Sequence, residues 1–166
     1  MSTSRKEVVF LDSSVILHYL TGDPRARDII EDTSRLAVNS IVFSEVSFNL
    51  LKLLYSEKYG EYKFYNMKSR TTMLDKDILQ GYTILQSFLN ELHKEDRLVY
   101  LPITLEVMRE ASETAVKYGL LPNDALIAAT CKHYGISTIA TLDEDFERIP
   151  WLQIVPQHSK STKRNA

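Results

Sequence analysis

Short apolar runs that alternate with segments of helical spacing restrict this chain more than any other feature. "EVVFL" (7–11) is rich in β-branched and aromatic residues and reads as a buried strand. "DSSVILHYL" follows it directly, with helix-start residues ahead of an apolar stretch. "RLAVN" (35–39), "RLVYLPI" (97–103), "STIAT" (137–141) and "LQIVP" (152–156), the last stopped by Pro156, read as further strands. Between them lie a helix near "DPRARDIIED", with Pro24 in its first turn, and another over "SIVFSEVSFNLLKLLYS" (40–56). From Asp75 to Glu95, Ile78, Tyr82, Leu85, Leu89 and Leu92 recur at spacings of four and three, which places them on one helical face. A helix over Thr104–Tyr118 aligns Leu105, Met108, Ala111, Ala115 and Tyr118, the next starts in "LPNDALIAAT" (121–130), and "LDEDF" reads as a turn. Strands alternating with helices predict an α/β fold, with a mainly parallel sheet, right-handed crossovers and helices on both faces.

Such a sheet collects its ligands off the carboxyl ends of its strands, and the acids of this chain fall there. Asp12 directly follows the first strand, and Asp143 comes just after the strand that ends at Thr141. Glu45 has Ile41, Val42, Phe48 and Asn49 three and four positions away, a mostly apolar face that a solvated helix rarely shows. Asp124 has Ile127 and Ala128 three and four residues on, which directs it toward the sheet side of its helix. Each acid also has an ordinary explanation: Asp12, Asn123 or Asp124 as a helix cap worth roughly 1 kcal/mol, Asp143 and Asp145 as turn residues. Capping gives no reason for Glu45, nor for all four sharing one end of the sheet. Crowded carboxylates repel unless cations neutralise them. Oxygen donors without cysteine or a spaced histidine pair select Mg²⁺ or Mn²⁺ over Zn²⁺, and His18, His93, His133 and His158 form no such pair. A site of this kind suits hydrolysis of a phosphodiester.

Composition sets the remaining bounds. With 166 residues, 44% of them hydrophobic and 25% charged, the chain is expected to form one domain with a full core over 1–158, followed by a disordered basic tail at 159–166. Met1–Glu7 lacks the apolar centre of a secretory signal, and no apolar stretch reaches membrane length, so a cytoplasmic protein without membrane contact is expected. Cys131, the lone cysteine, excludes an internal disulfide framework and a cysteine-rich zinc site. A formal net charge of −2 gives the whole molecule no pull toward nucleic acid, so any attraction must come from local clusters or bound cations.

"VVFLDSSVIL", the glutamate in "SIVFSEVSFNLL", "LPNDALIAATCKHYGI" and "TIATLDEDFERIPWLQIV" together resemble, in order, the four signature blocks of the PIN-domain family, including the VapC-like toxins. The resemblance spans Val8 to about Val155. It implies a three-layer α/β/α sandwich and a Mg²⁺- or Mn²⁺-dependent endoribonuclease, either a toxin of a toxin–antitoxin pair or an RNA-processing nuclease. Carried over by position, Asp12, Glu45, Asp124 and Asp143 form the acidic quartet. Asp12, Asp124 and Asp143 then bind metal, Glu45 is a further ligand or holds a water there, and Asp145 assists. Ser13 and Thr141 match hydroxyl positions that order the site. The implied partners are RNA, in particular single-stranded RNA, an antitoxin-like protein and a second copy of the chain.

The stretch from about 57 to 95 is long for the smallest toxin-like members and suggests an added helical segment. Within it, "KYGEYKFYNMKSR" interleaves tyrosines and a phenylalanine with Lys58, Lys63, Lys68 and Arg70. Aromatics stack on unpaired bases and cations hold phosphates, so Lys63, Lys68 and Arg70 are candidate RNA contacts; an amphipathic helix packing its aromatics on the body explains the same pattern. Two other functions fit parts of the sequence: a non-catalytic RNA-binding or assembly module, and a phosphoacceptor domain, although "DSSV" lacks a second acid two residues on.

Overall fold

A computed structural model describes residues 7–157, so the expected basic tail lies outside the described residues. All five predicted strands form: β1 (Val8–Leu11), β2 (Arg35–Val38), β3 (Leu98–Tyr100), β4 (Thr138–Ala140) and β5 (Gln153–Val155). They make one sheet in the order β3-β2-β1-β4-β5, and every pairing is parallel. The helices are α1 (Ser13–Leu20), α2 (Pro24–Asp32), α3 (Ser40–Tyr59), α4 (Phe64–Thr72), α5 (Lys76–Lys94), α6 (Leu105–Tyr118) and α7 (Pro122–His133). The fold is the expected α/β sandwich around a parallel sheet, and "LDEDF" opens a short 3₁₀ helix, Glu144–Arg148.

Strands this short are held by what covers them. Phe10 and Leu11 of β1, Leu36 and Ala37 of β2, and Ile139 and Ala140 of β4 are fully buried, as are Val15, Ile16, Ile127 and Ala128 on the helices. The run reads as continuously apolar because a central parallel strand is covered on both faces. Each large side chain so buried contributes about 1.5–3 kcal/mol.

Two helical faces differ from those expected. On α6 the buried stripe is Val107, Ala111 and Thr114, while Leu105 and Met108 are exposed. Ala111 belongs to both stripes, and Ala115 and Tyr118 of the expected one are partly buried against the core. On α5 the buried set is Ile78, Gly81, Leu85, Phe88 and Leu92, and Tyr82 is exposed. A Cβ on Gly81 would lie 3.2 Å from the Leu50 Cβ, so glycine lets α5 approach α3 closely. The stripe is therefore used inside the molecule and is not free to pair with a second copy.

The added segment is not one amphipathic helix. Lys58 and Tyr59 end α3, Gly60 turns the chain at φ +87°, and α4 starts at Phe64. Beneath α4 a small satellite core joins Leu51, Tyr55, Met67 and Ile78, with Tyr59 and Tyr62 packed on it.

Candidate active site

The sheet order fixes where a site can form. β1 has β2 on one side and β4 on the other, so the chain leaves the carboxyl ends of β1 and β4 in diverging directions and opens a crevice there. Asp12 is the first residue past β1, and its N–H donates to the Ala140 carbonyl at 3.0 Å. Thr141 is the first past β4, and its N–H donates to Val155 at 3.0 Å. Backbone pairing thus sets these two side chains next to each other: the Thr141 hydroxyl donates to the Asp12 carboxylate at 2.8 Å and the Ser14 hydroxyl donates to it at 2.7 Å. Asp12 is only 4% exposed and makes no capping bond to α1, which removes the capping explanation.

Glu45 arrives from α3, whose start is pinned by Asn39. The Asn39 side-chain oxygen accepts from the N–H groups of Ile41 and Val42, and its amide donates to the Thr130 hydroxyl on α7 at 3.0 Å in a buried link. Six residues on, Glu45 accepts from the Ser13 hydroxyl at one oxygen and from the Asn123 amide at the other, both at 2.8 Å. It therefore bridges the starts of α1 and α7. The expectation of a core-facing Glu45 needs correction: the buried stripe of α3 runs through Val42, Val46 and Leu50, Phe48 is exposed, and Glu45 sits half-buried at the border. Apolar neighbours three and four residues away do not imply burial when some of them are themselves at the surface.

Asp124 lies in the first turn of α7, one position past Asn123; Leu121 is the helix cap, so neither residue caps the helix. Asp143 does serve as a turn residue, accepting from the Asp145 N–H at 2.9 Å, while its own N–H donates to the Thr141 hydroxyl at 3.0 Å. That turn carries Asp143 and Asp145 to Asp124: one carboxylate oxygen from each of the three lies within 4.8 Å of the others. Asp145 thus joins the tightest group of acids, a larger place than the assisting one expected for it.

The electrostatics follow from this crowding. Burial first, then the charges of Asp143, Glu45, Asp12 and Asp145, push the Asp124 pKa up to about 6. Burial likewise raises Asp12 above the ordinary carboxylate range, against the opposing hydrogen bonds from Ser14 and Thr141. The quartet and Asp145 therefore act on one another as one site. Arg148 borders it, pairing with Asp145 at 2.8 Å while donating to the Gly119 carbonyl at 2.9 Å.

Several of these residues were not identified from sequence. Ser14, the Asn39–Thr130 link and Arg148 carry no motif of their own; "DSS" offers two hydroxyls, and only the turn into α1 shows that the second one reaches Asp12. Asn123 stands out in sequence only as a helix-start residue. The candidate RNA contacts lie around α4: Lys63 just before it, Lys68 on it, and Arg70 with its guanidinium 4.5 Å from the Tyr59 ring centre.

Five parallel strands with acids gathered at the carboxyl ends of the central ones define a PIN-type domain. Residues 9–152 match the sequence profile of the PIN domain, and the chain belongs to the PIN-domain family. It is similar to ribonuclease VapC6 of Methanocaldococcus jannaschii, at 34% identity over 90% of this chain and 97% of that one. Ribonuclease VapC2 of the same organism is 31% identical, over 89% of this chain and 92% of its own length. Among solved structures, VapBC2 from Rickettsia felis bound to a promoter DNA fragment superposes with a TM-score of 0.58 at 19% identity, covering 89% of this chain and 96% of that one. DNA-bound VapBC from Salmonella typhimurium gives 0.57 at 19% identity, with the same coverage of 89% and 96%. These structures share the fold.

Proposed function

We propose that the protein is a Mg²⁺- or Mn²⁺-dependent endoribonuclease that hydrolyses phosphodiester bonds of single-stranded RNA. In this reading it acts in the cytoplasm as the toxin of a toxin–antitoxin pair or as an RNA-processing nuclease, and residues 1–158 work as one catalytic domain. The observation that carries it is the meeting of Asp124, Asp143 and Asp145 oxygens within 4.8 Å at the carboxyl edge of the sheet, with Asp12 and Glu45 beside them. Two relatives that cover nearly the whole chain bear the name ribonuclease.

The donor set fits a hard dication: carboxylate oxygens, with no thiol or imidazole among the site's described residues. Asp12, Asp124 and Asp143 would hold it, with Asp145 and Glu45 alongside. When bound, such an ion neutralises the acids and supplies Lewis acidity toward water and phosphate. The chain's own residues do the rest. Ser14 and Thr141 hold the Asp12 carboxylate at a fixed angle, and Asn123 and Ser13 hold Glu45, so that neither acid needs to reorganise during reaction. Glu45, with both oxygens accepting hydrogen bonds, would be a further ligand or hold a water at the site. Water attacks in line, without a covalent enzyme intermediate. The phosphoacceptor alternative loses support, because the partners of Asp12 are hydroxyls and not the basic group that aspartyl-phosphate chemistry needs.

An antitoxin-like protein and a second copy of the chain belong to this reading as partners; no helix among the described residues is long and apolar enough to cross a membrane. The test is a Mg²⁺ and Mn²⁺ titration of the purified chain on labelled single-stranded RNA. Cleavage is expected with either ion, stopped by chelator and by Asp12→Asn. RNA bound but left uncut at every metal concentration would instead make the domain a binding or assembly module.

A further inference from the structure

The aromatic and basic residues of the added segment divide into two sets. Tyr59 and Tyr62 are packed on the satellite core, Lys58 is paired with Asp75 and Asp77, and Arg70 lies over Tyr59, so these residues are engaged within the protein. Phe64 and Tyr65 at the start of α4 are not: they are 48% and 80% exposed. Phe48 of α3, 42% exposed, stands 6.5 Å from Phe64 ring to ring, and Phe64 stands 5.4 Å from Tyr65. Phe48 is three residues beyond Glu45, one turn along the same side of α3. Phe48, Phe64 and Tyr65 thus form one row of open rings that begins a turn of α3 beyond Glu45 and ends at the start of α4.

The charge around this row is opposite to that of the molecule as a whole. From Phe48 to Arg70 the chain carries five basic residues against two acids, Glu57 and Glu61, although its overall formal charge is −2. Lys52 reaches over Tyr62, Lys63 immediately precedes Phe64, and Lys68 lies one turn past Phe64 and Tyr65 on α4. Lys63 and Lys68 have no carboxylate within ion-pair distance among the described residues. Rings that offer open faces to solvent, flanked by unpaired ammonium groups, meet both requirements of an unpaired nucleic-acid strand: stacking for bases and cations for phosphates. Duplex RNA can use the cations but not the rings, since its bases are already stacked.

We infer that Phe48, Phe64 and Tyr65, with Lys63 and Lys68, form a stacking platform that holds unpaired bases of the RNA next to the bond presented to the acids. The inference rests on the ribonuclease reading and adds to it a binding site for the unpaired strand.

Binding of a short fluorescein-labelled RNA of mixed sequence, single-stranded or annealed to its complement, is measured with the full chain in chelator, so that cleavage plays no part. Phe64→Ala and Tyr65→Ala are each expected to weaken single-strand binding about tenfold, and Tyr65→Phe to preserve it. Lys63→Ala with Lys68→Ala should flatten the salt dependence. In the cleavage assay with metal, the alanine variants should raise KM and leave kcat in place. If single-strand affinity is unchanged in both aromatic variants, or duplex binds as well as single strand, the platform does not exist. Unchanged affinity with an altered sedimentation coefficient would reassign the face to contact between copies of the chain. Binding that depends on Phe64 and Tyr65 in a protein that cleaves with no metal would uphold the platform and defeat the catalytic reading; normal cleavage with unaltered KM would do the reverse.

Discussion

Two groups of carboxylates in this molecule have been treated in opposite ways. At the ends of α3 and α5, Asp75 accepts from Lys58 at 3.1 Å and from the Tyr59 hydroxyl at 2.6 Å, caps α5 through the Asp77 N–H, and has its pKa lowered to about 2, first by Tyr59. At the carboxyl edge of the sheet, Asp124 faces four other acids and its pKa is raised to about 6, first by burial. One cluster brings its own cation from the chain and is complete. The other is built from acids whose partners are hydroxyls, an amide and one arginine at the margin, and its remaining repulsion is what a cation from outside would offset. An acid-rich sequence does not distinguish the two; what each acid faces does.

The largest effect expected from this contrast is on activity. Asp124→Asn should lower metal-dependent RNA cleavage on the order of 10³-fold while circular dichroism shows the fold intact, whereas Asp75→Asn should leave cleavage near that of the parent chain. Equal losses from both would erase the distinction.

Next in size is the response to pH and metal. Because the folded pKa of Asp124 lies above its ordinary value of 3.8, the metal-free fold is favoured relative to the unfolded chain at acidic pH and loses that advantage as pH rises through about 6. A dication binds the ionised form, so Mn²⁺ should raise the thermal midpoint clearly at pH 8 and little at pH 5, with protons released on binding. Asp75 has the other sign: its lowered pKa contributes stability above the ordinary carboxylate range, lost as pH falls toward about 2. A metal-induced shift independent of pH, measured by differential scanning fluorimetry, would contradict this account of Asp124.

Neutralising one charge in each cluster should then move stability in opposite directions. Without metal, Asp124→Asn relieves repulsion and raises the thermal midpoint; Lys58→Met leaves Asp75 and Asp77 without their cation and lowers it. The smallest effect is at the margin. Arg148→Gln removes one exposed ion pair, worth less than about 1 kcal/mol, but leaves Asp145 more negative, so Mn²⁺ affinity by calorimetry should rise modestly. A fall in affinity would mean that Arg148 orders Asp145 more than it competes for it.

Much of this was legible in the sequence wherever the signal was local. All five strands form inside the predicted segments, the central ones because a parallel strand covered on both faces must be a continuous apolar run, and Asp12 and Asp143 could be placed because each follows such a run. Asp124 was legible by its helical spacing. For Glu45 the sequence signal is only partly right: its apolar neighbours suggest core, whereas Phe48 is exposed and Glu45 is held by Ser13 and Asn123. The stripes of α5 and α6 differ from their spacing at Tyr82, Leu105 and Met108, which are exposed, because a helix with apolar residues on two adjoining faces does not state which one its neighbour will cover.

By itself the sequence determined the alternation of strands and helices, the parallel sheet that follows from it, and the acids placed at strand ends and helix starts, since those depend on periodicity and on immediate neighbours. Only the tertiary structure decided that Asp145 joins Asp124, that Ser14 and Thr141 share Asp12, that Asn39 ties α3 to α7, and that Phe48, Phe64 and Tyr65 form one open row. Each of these joins residues far apart in the chain or fixes the direction of a side chain, and both are settled by how the helices rotate and pack on the sheet.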